Sequence, residues 1–167
     1  MFNIVLVEPQ IPQNTGTIGR LCVNLGATLH LIKPIGFDID DKAVKRAGLD
    51  YWRKLDLVVW ESFEAFLAEH PISTQTHMAT TKTERLYFDA HFKRGDYILF
   101  GSETRGIDES VLLANPTQCI TIPMGGEGRS LNLGVSVGIV AYEALRQNYA
   151  GFEKITIANQ LKEQTCH

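Results

Sequence analysis

Short apolar runs alternate with helical spacings from one end of the chain to the other. Ile4-Val5-Leu6-Val7 has no polar position, the pattern of a strand covered on both faces rather than one with a wet side. From Asn14 onward, Ile18, Leu21, Cys22 and Leu25 fall at i, i+3, i+4 and i+7, one buried face of a helix that Asn14 would cap. Gly26 stands where that helix should end. Leu29 to Ile32 reads as a second strand and residues 40–47 as a short basic helix stopping at Gly48. Leu57-Val58-Val59-Trp60 is a third strand, followed by a helix over residues 62–69 that halts before Pro71. His77 to Thr80, Tyr97 to Phe100 and Cys119 to Ile122 supply three more strands, with a helix over residues 108–114 between the last two. Residues 80–95 are poorly patterned and read as a mobile loop or an irregular helix. The alternation predicts a single α/β domain with a mostly parallel six-stranded sheet flanked by helices.

The last helix is the least ordinary. Val135, Val137 and Ile139 alternate as a strand would, but Tyr142-Glu143-Ala144-Leu145-Arg146-Gln147 extends the segment to helical length. Its apolar residues form two stripes, one of Leu133, Val137, Val140, Ala141 and Ala144, the other of Leu131, Val135, Ile139 and Tyr142. A helix apolar on two sides is buried on two sides. Central burial within one chain and contact with a second copy both satisfy that pattern. Residues 151–167 read as a terminal tail to a domain over residues 1–150.

Composition adds exclusions. The chain has 167 residues, 44% apolar and 21% charged, so it can bury a core and is not of disordered composition. Sixteen Lys and Arg against nineteen Asp and Glu give a net charge of −3, which argues against coating nucleic acid or anionic membrane by bulk charge. No apolar run approaches the ~20 residues of a membrane span, and the start lacks a signal-peptide pattern, so a soluble, cytoplasmic protein is expected. Cys22, Cys119 and Cys166 show no C-x-x-C spacing, and the five histidines are scattered, so neither a disulfide framework nor a metal site is expected.

Three strand-to-helix junctions are loaded with glycine and polar residues, where parallel sheets bind their ligands. The first, Pro12-Gln13-Asn14-Thr15-Gly16-Thr17-Ile18-Gly19-Arg20, puts Arg20 opposite the apolar face, either as a solvated cation or for a phosphate. In the second, Phe100-Gly101-Ser102-Glu103-Thr104-Arg105-Gly106, Gly101 lets a ligand approach the strand end. There Glu103 either accepts hydrogen bonds from a ligand or loop amides or braces the turn against Arg105. The third, Ile122-Pro123-Met124-Gly125-Gly126-Glu127-Gly128-Arg129-Ser130-Leu131-Asn132, is neither a P-loop nor a dinucleotide fingerprint. Its backbone amides suit an anion or a purine edge, although a flexible surface loop also explains the glycines. Lys42, Lys45, Arg46, Arg53 and Lys54 face only Asp50 in their segment, with Tyr51 and Trp52 interleaved, a pattern for phosphate contacts and base stacking or for a solvated face.

Together these junctions resemble the three signature motifs of the SPOUT methyltransferase superfamily, most closely the TrmL (YibK-like) group of tRNA 2′-O-methyltransferases. The likeness is carried by Glu8-Pro9, Ile11-Pro12-Gln13-Asn14-Thr15-Gly16 and Arg20-Leu21-Cys22, then Gly48-Leu49-Asp50-Tyr51 and Phe100-Gly101 with Glu103-Thr104-Arg105-Gly106. It continues through Ile122-Pro123-Met124, Arg129-Ser130, Asn132-Leu133 and Tyr142-Glu143-Ala144, all in order over residues 1–150.

The resemblance implies a SPOUT fold with a C-terminal trefoil knot, a homodimer, and S-adenosylmethionine as methyl donor. It implies cofactor contacts at the backbone of Ala79, Gly101 and Ile122, closure by Ser130 and Leu131, and support of the knot loop by Asn132. The implied reaction is methylation of the ribose 2′-hydroxyl of the wobble nucleotide, a cytidine or uridine derivative, in the tRNA anticodon region. Arg20 is the implied catalytic residue, Asn14, Lys42, Arg46 and Arg105 the implied tRNA contacts, and Tyr142 a dimer residue; no metal is implied. Relatives usually follow the motif's Asn-Leu with Ser-Asn, where this chain has Gly134-Val135, and its loop at Gly125-Gly126-Glu127-Gly128 is richer in glycine. The alternatives are a non-catalytic RNA-binding dimer of the same fold, methylation at another RNA position, and a nucleotide-dependent enzyme, for which the first strand lacks a fingerprint.

Overall fold

The short apolar-rich runs become the strands of one sheet. In the computed structural model, which describes residues 1–38 and 52–151, these are β1 (Asn3–Val7), β2 (Thr28–Ile32), β3 (Leu57–Trp60), β4 (Thr76–Ala79), β5 (Tyr97–Phe100) and β6 (Cys119–Ile120). Their order is β3-β2-β1-β5-β4-β6 and every pairing is parallel. Register places Ile4 between Leu29 and Ile98, and Leu6 between Leu31 and Phe100. Residues one apart therefore face opposite sides, and both sides are covered.

One face carries Ile4, Leu6, Leu29, Leu31, Ile98 and Phe100 against α1 (Pro12–Leu25) and α4 (Leu133–Gln147). The other carries Val5, Val7, Ile32, Met78 and Leu99 against α2 (Phe63–Glu69) and α3 (Glu109–Ala114). Each short helix is opened by a capping side chain: Ser62 Oγ accepts from the Ala65 amide, and Asp108 accepts from that of Ser110. Gly26 ends α1 in the left-handed conformation, as its position predicts.

Several boundaries differ from the sequence expectation. α1 begins at Pro12, whose missing amide costs nothing in a first turn, and Asn14 lies inside that turn instead of capping it. β4 starts at Thr76 and ends at Ala79, and β6 stops at Ile120, beyond which Thr121 makes only an isolated bridge to Leu86. The stretch between β4 and β5 contains a short 3-10 turn at Tyr87–Asp89, and Ala90 and Phe92 are buried. The end of α4 pins it, Gln147 bonding Phe92 N and Ala90 O and Asn148 bonding Phe92 O. The expected helix over residues 40–47, with Lys42 and Arg46, and the tail after Gly151 lie outside the described residues.

α4 resolves its two stripes differently. Leu133, Val137, Val140, Ala141 and Ala144 are buried on the sheet, whereas Leu131, Val135 and Tyr142 are 39%, 50% and 52% exposed. A single chain does not cover the second stripe.

Candidate active site

A parallel sheet is weakest in side-chain cover where its strand order reverses, because adjacent crossovers leave in opposite directions there. Here that point lies between β1 and β5. At the carboxyl edge beside it opens a cleft of about 650 Å3, lined by segments following β1, β4, β5 and β6 and by the start of α4. Phe100, Ile107, Ile122, Leu131 and Leu133 give it apolar walls, while Asn14, Thr80, Glu103, Ser130 and Asn132 supply polar groups.

The loop after β5 is folded tightly on itself. Ser102 O accepts from the Gly106 amide at 2.9 Å, Ser102 Oγ from the Arg105 amide at 3.3 Å, and Gly106 is left-handed. This packs the loop so closely on Gly101 that a Cβ there would lie 1.9 Å from the Gly106 carbonyl carbon. Only glycine fits.

Four elements are then tied by a relay of side chains. Glu103 accepts from the amides of Gln10 (2.8 Å) and Ile11 (3.2 Å) and from Asn14 Nδ2 (2.9 Å). Asn14 Oδ1 in turn accepts from Asn132 Nδ2 at 3.0 Å, and Asn132 Oδ1 accepts from the Val135 amide, capping α4. The role of Asn14 is thus a long-range bridge between the first and third junctions, and its side chain is buried to perform it. Of the two readings of Glu103, acceptance from loop amides is the one observed, and the alternative brace against Arg105 is not. Arg105 Nη2 instead donates to Glu8 Oε2 at 2.7 Å.

Of the residues singled out in the sequence, Ala79, Gly101, Ile122, Ser130, Leu131, Asn132, Asn14 and Arg105 all line this one cleft. Arg20 does not; it is exposed on α1. Tyr142 is on the exposed stripe of α4. Trp52 is half-buried, with its ring edge 3.1 Å from where a Cβ on Gly19 would stand, so it packs on α1 rather than standing free for stacking. Thr80, Thr81 and Lys82 after β4 and Ser136 on α4 also line the cleft without having been given a site role, as does Met124 of the third motif. Ser136 sits one turn beyond Asn132, a spacing that identifies it once α4 is known to start there.

Among the described residues no group of His, Cys, Asp and Glu could hold a metal ion, and no helix is long and apolar enough to cross a membrane. Cys22 is sealed in the core, and burial pushes its thiol up to about 12, which makes it inert as a nucleophile. Burial also pushes the Cys119 thiol up.

A doubly covered parallel sheet with a cleft at its switch point, lined by backbone and short polar side chains, is the arrangement in which α/β domains bind small ligands. Sequence comparison narrows the class: the chain belongs to the SpoU rRNA Methylase family, which it matches over residues 1–142. It is 46% identical over 155 residues to a tRNA (cytidine(34)-2′-O)-methyltransferase of Burkholderia cenocepacia, covering 92% of this chain and 98% of that protein. To a protein of the same name from Escherichia coli K12 it is 48% identical over 149 residues, covering 88% and 94%. A solved structure described by the 2-OH methylation of C/U34 on tRNA superposes with a TM-score of 0.85 at 45% identity, over 90% of this chain and 97% of that one. An AdoMet complex of the SpoU methyltransferase AviRb from Streptomyces viridochromogenes superposes at 0.73 with 26% identity, over 89% of this chain and 58% of that one.

Proposed function

We propose that the protein transfers a methyl group from S-adenosylmethionine to the ribose 2′-hydroxyl of the wobble nucleotide of tRNA. The observation that carries this reading is the meeting of all three motif segments at one cleft, in a chain that matches wobble-nucleotide methyltransferases over nearly their whole length.

The cleft suits the donor. Its apolar walls match a purine and its polar rim matches a ribose and an amino-acid head, while Gly101 lets the Gly106–Ile107 backbone pack tightly on the strand end and so shapes the cleft wall. Ala79, Gly101 and Ile122 would meet the nucleoside through their backbones, with Ser130 and Leu131 closing over it. When bound, S-adenosylmethionine supplies a methyl already activated on a sulfonium, so no metal is required of the protein.

What the chain must do is orient an in-line attack and stabilise the hydroxyl oxygen as it loses its proton. The relay Glu103–Asn14–Asn132 fixes the wall of the cleft against which this happens. Arg20 is the candidate for the charge. A guanidinium stays protonated in proteins, so it acts by holding the neighbouring phosphate and the developing alkoxide, not as a base. Its place outside the cleft of its own chain fits an active site shared by two copies joined through the exposed stripe of α4, with Tyr142 at the contact. The anticodon region would be gripped by Arg105 and by the basic segment that includes Lys42 and Arg46, and the protein would act in the cytoplasm. A trefoil knot of the C-terminal segment belongs to the same reading.

The test is transfer of labelled methyl from S-adenosylmethionine to unmodified tRNA transcripts. The wild type should label the tRNA, and Arg20→Ala should lose about a hundredfold in rate, the scale of one lost charge-stabilising donor. Near-full activity in Arg20→Lys with unchanged tRNA affinity would contradict the role given to Arg20.

A further inference from the structure

The turn that ends β1 carries the only non-glycine residue in left-handed backbone among those described, Glu8 at φ +52°. An L side chain is crowded there, and glycine or asparagine is the usual occupant. The turn is nevertheless fixed from several sides. The Glu8 amide donates to Ile32 O at 3.0 Å, its carbonyl accepts from Gln10 Nε2 at 2.7 Å, and the amides of Gln10 and Ile11 are held by Glu103. The position asks for glycine and holds a glutamate. Strain kept beside a site calls for a use of the side chain that keeps it.

That use is visible at the carboxylate, which accepts from Arg105 Nη2 at 2.7 Å. The two partners are unequally exposed: the Glu8 side chain is 30% accessible and that of Arg105 is 72%. An incoming phosphate therefore meets the guanidinium, with the carboxylate mostly covered. Only one of the five N–H donors of Arg105 is engaged by Glu8, so the fork keeps free donors toward solvent at the mouth of the cleft. A long exposed arginine left unpaired would lose rotamer freedom on binding, and a partner that fixes it beforehand removes that cost.

We propose that Glu8 is a positioning residue for the RNA substrate: its strained turn fixes the Arg105 guanidinium so that the remaining donors meet a phosphate of the strand entering the cleft. This rests on the reading that the cleft acts on tRNA.

The test uses Glu8→Gly, Glu8→Gln, Arg105→Ala and the double variant Glu8→Gly with Arg105→Ala, each measured for methylation kinetics, tRNA affinity by filter binding, S-adenosylmethionine affinity and Tm. Glu8→Gly relieves the backbone while removing the carboxylate. It should keep Tm and cofactor affinity and yet raise KM and Kd for tRNA about fivefold, the scale of one lost preorganising contact, with less change in kcat. Glu8→Gln, which keeps an acceptor without charge, should fall between it and the wild type. The double variant should bind tRNA no more weakly than Arg105→Ala alone, because Glu8 acts through Arg105. A wild-type or lowered KM in Glu8→Gly, or additive losses in the double variant, would overturn the assignment. A wild type that binds tRNA without methylating it overturns the reading of function, and the affinity series then still decides the role of Glu8. A wild type that does not bind tRNA overturns both.

Discussion

Gly101 has no room for even a methyl group, since a Cβ would lie 1.9 Å from one backbone atom of the neighbouring loop and 2.1 Å from another. Gly101→Ala should therefore open the turn at residues 102–106, weaken S-adenosylmethionine binding by about tenfold or more and destabilise the fold by roughly 2 kcal/mol. Titration calorimetry and denaturant unfolding read the two effects separately. The glycine was legible in the sequence because an apolar strand runs straight into it. The partners of Asn14, Glu103 and Arg105 were not. Asn14 bonds Glu103 across 89 positions and Asn132 across 118, and Arg105 bonds Glu8 across 97, distances over which no local pattern operates. Local reasoning gave Asn14 the nearest available task, a helix cap, and the fold gave it a bridge.

At the scale of elements, β2, β3, β5 and α2 share an aromatic cluster, buried at His30 and Phe66 and half-buried at Trp60, His70 and Tyr97, on the face away from α1 and α4. Trp60 Nε1 donates to His30 Nδ1 at 3.0 Å, His30 Nε2 meets Asn3 Oδ1 at 3.3 Å, and Tyr97 Oη meets His70 Nδ1 at 3.0 Å. Burial, with the nearby His70 adding to it, lowers His30 to about 4 from an ordinary 6.5. Burial also lowers His77, despite the Asp96 carboxylate at 2.9 Å pulling the other way. A histidine whose folded pKa is depressed binds fewer protons folded than unfolded, so stability falls as pH drops from 6.5 toward 4 and levels off below. For His30 alone the loss is on the order of 3 kcal/mol across that window. Melting curves should show Tm falling steadily between pH 6.5 and 4, and His30→Gln, which can still accept from Trp60, should flatten part of that slope. An unchanged slope in the variant would remove His30 as the cause. In the sequence these histidines read only as scattered imidazoles without metal-ligand spacing, since isolated imidazoles carry no spacing that reports burial.

For the whole molecule, all six strands were legible because burial writes them as short runs dominated by apolar residues, interrupted at positions such as His30 and His77, while their order was not, because nothing in a run says which neighbour it pairs with. The double stripe on α4 was legible as a need for two partners, and the single chain meets one of them. If a second copy meets the other, Val135→Asp, which puts a charge on the 50% exposed residue of that stripe, should convert a dimer to a species of 18.7 kDa by sedimentation, with methylation lost in parallel. A wild type that sediments at the single-chain mass would refute the shared site. The central claim is tested most directly on the product. The protein is incubated with S-adenosylmethionine and tRNA from cells lacking wobble 2′-O-methylation, and the digested nucleosides and anticodon fragments are read by mass spectrometry. New 2′-O-methylcytidine or 2′-O-methyluridine at position 34 is the predicted result. Methylation confined to another position, or tRNA binding with no methylated product, would contradict it.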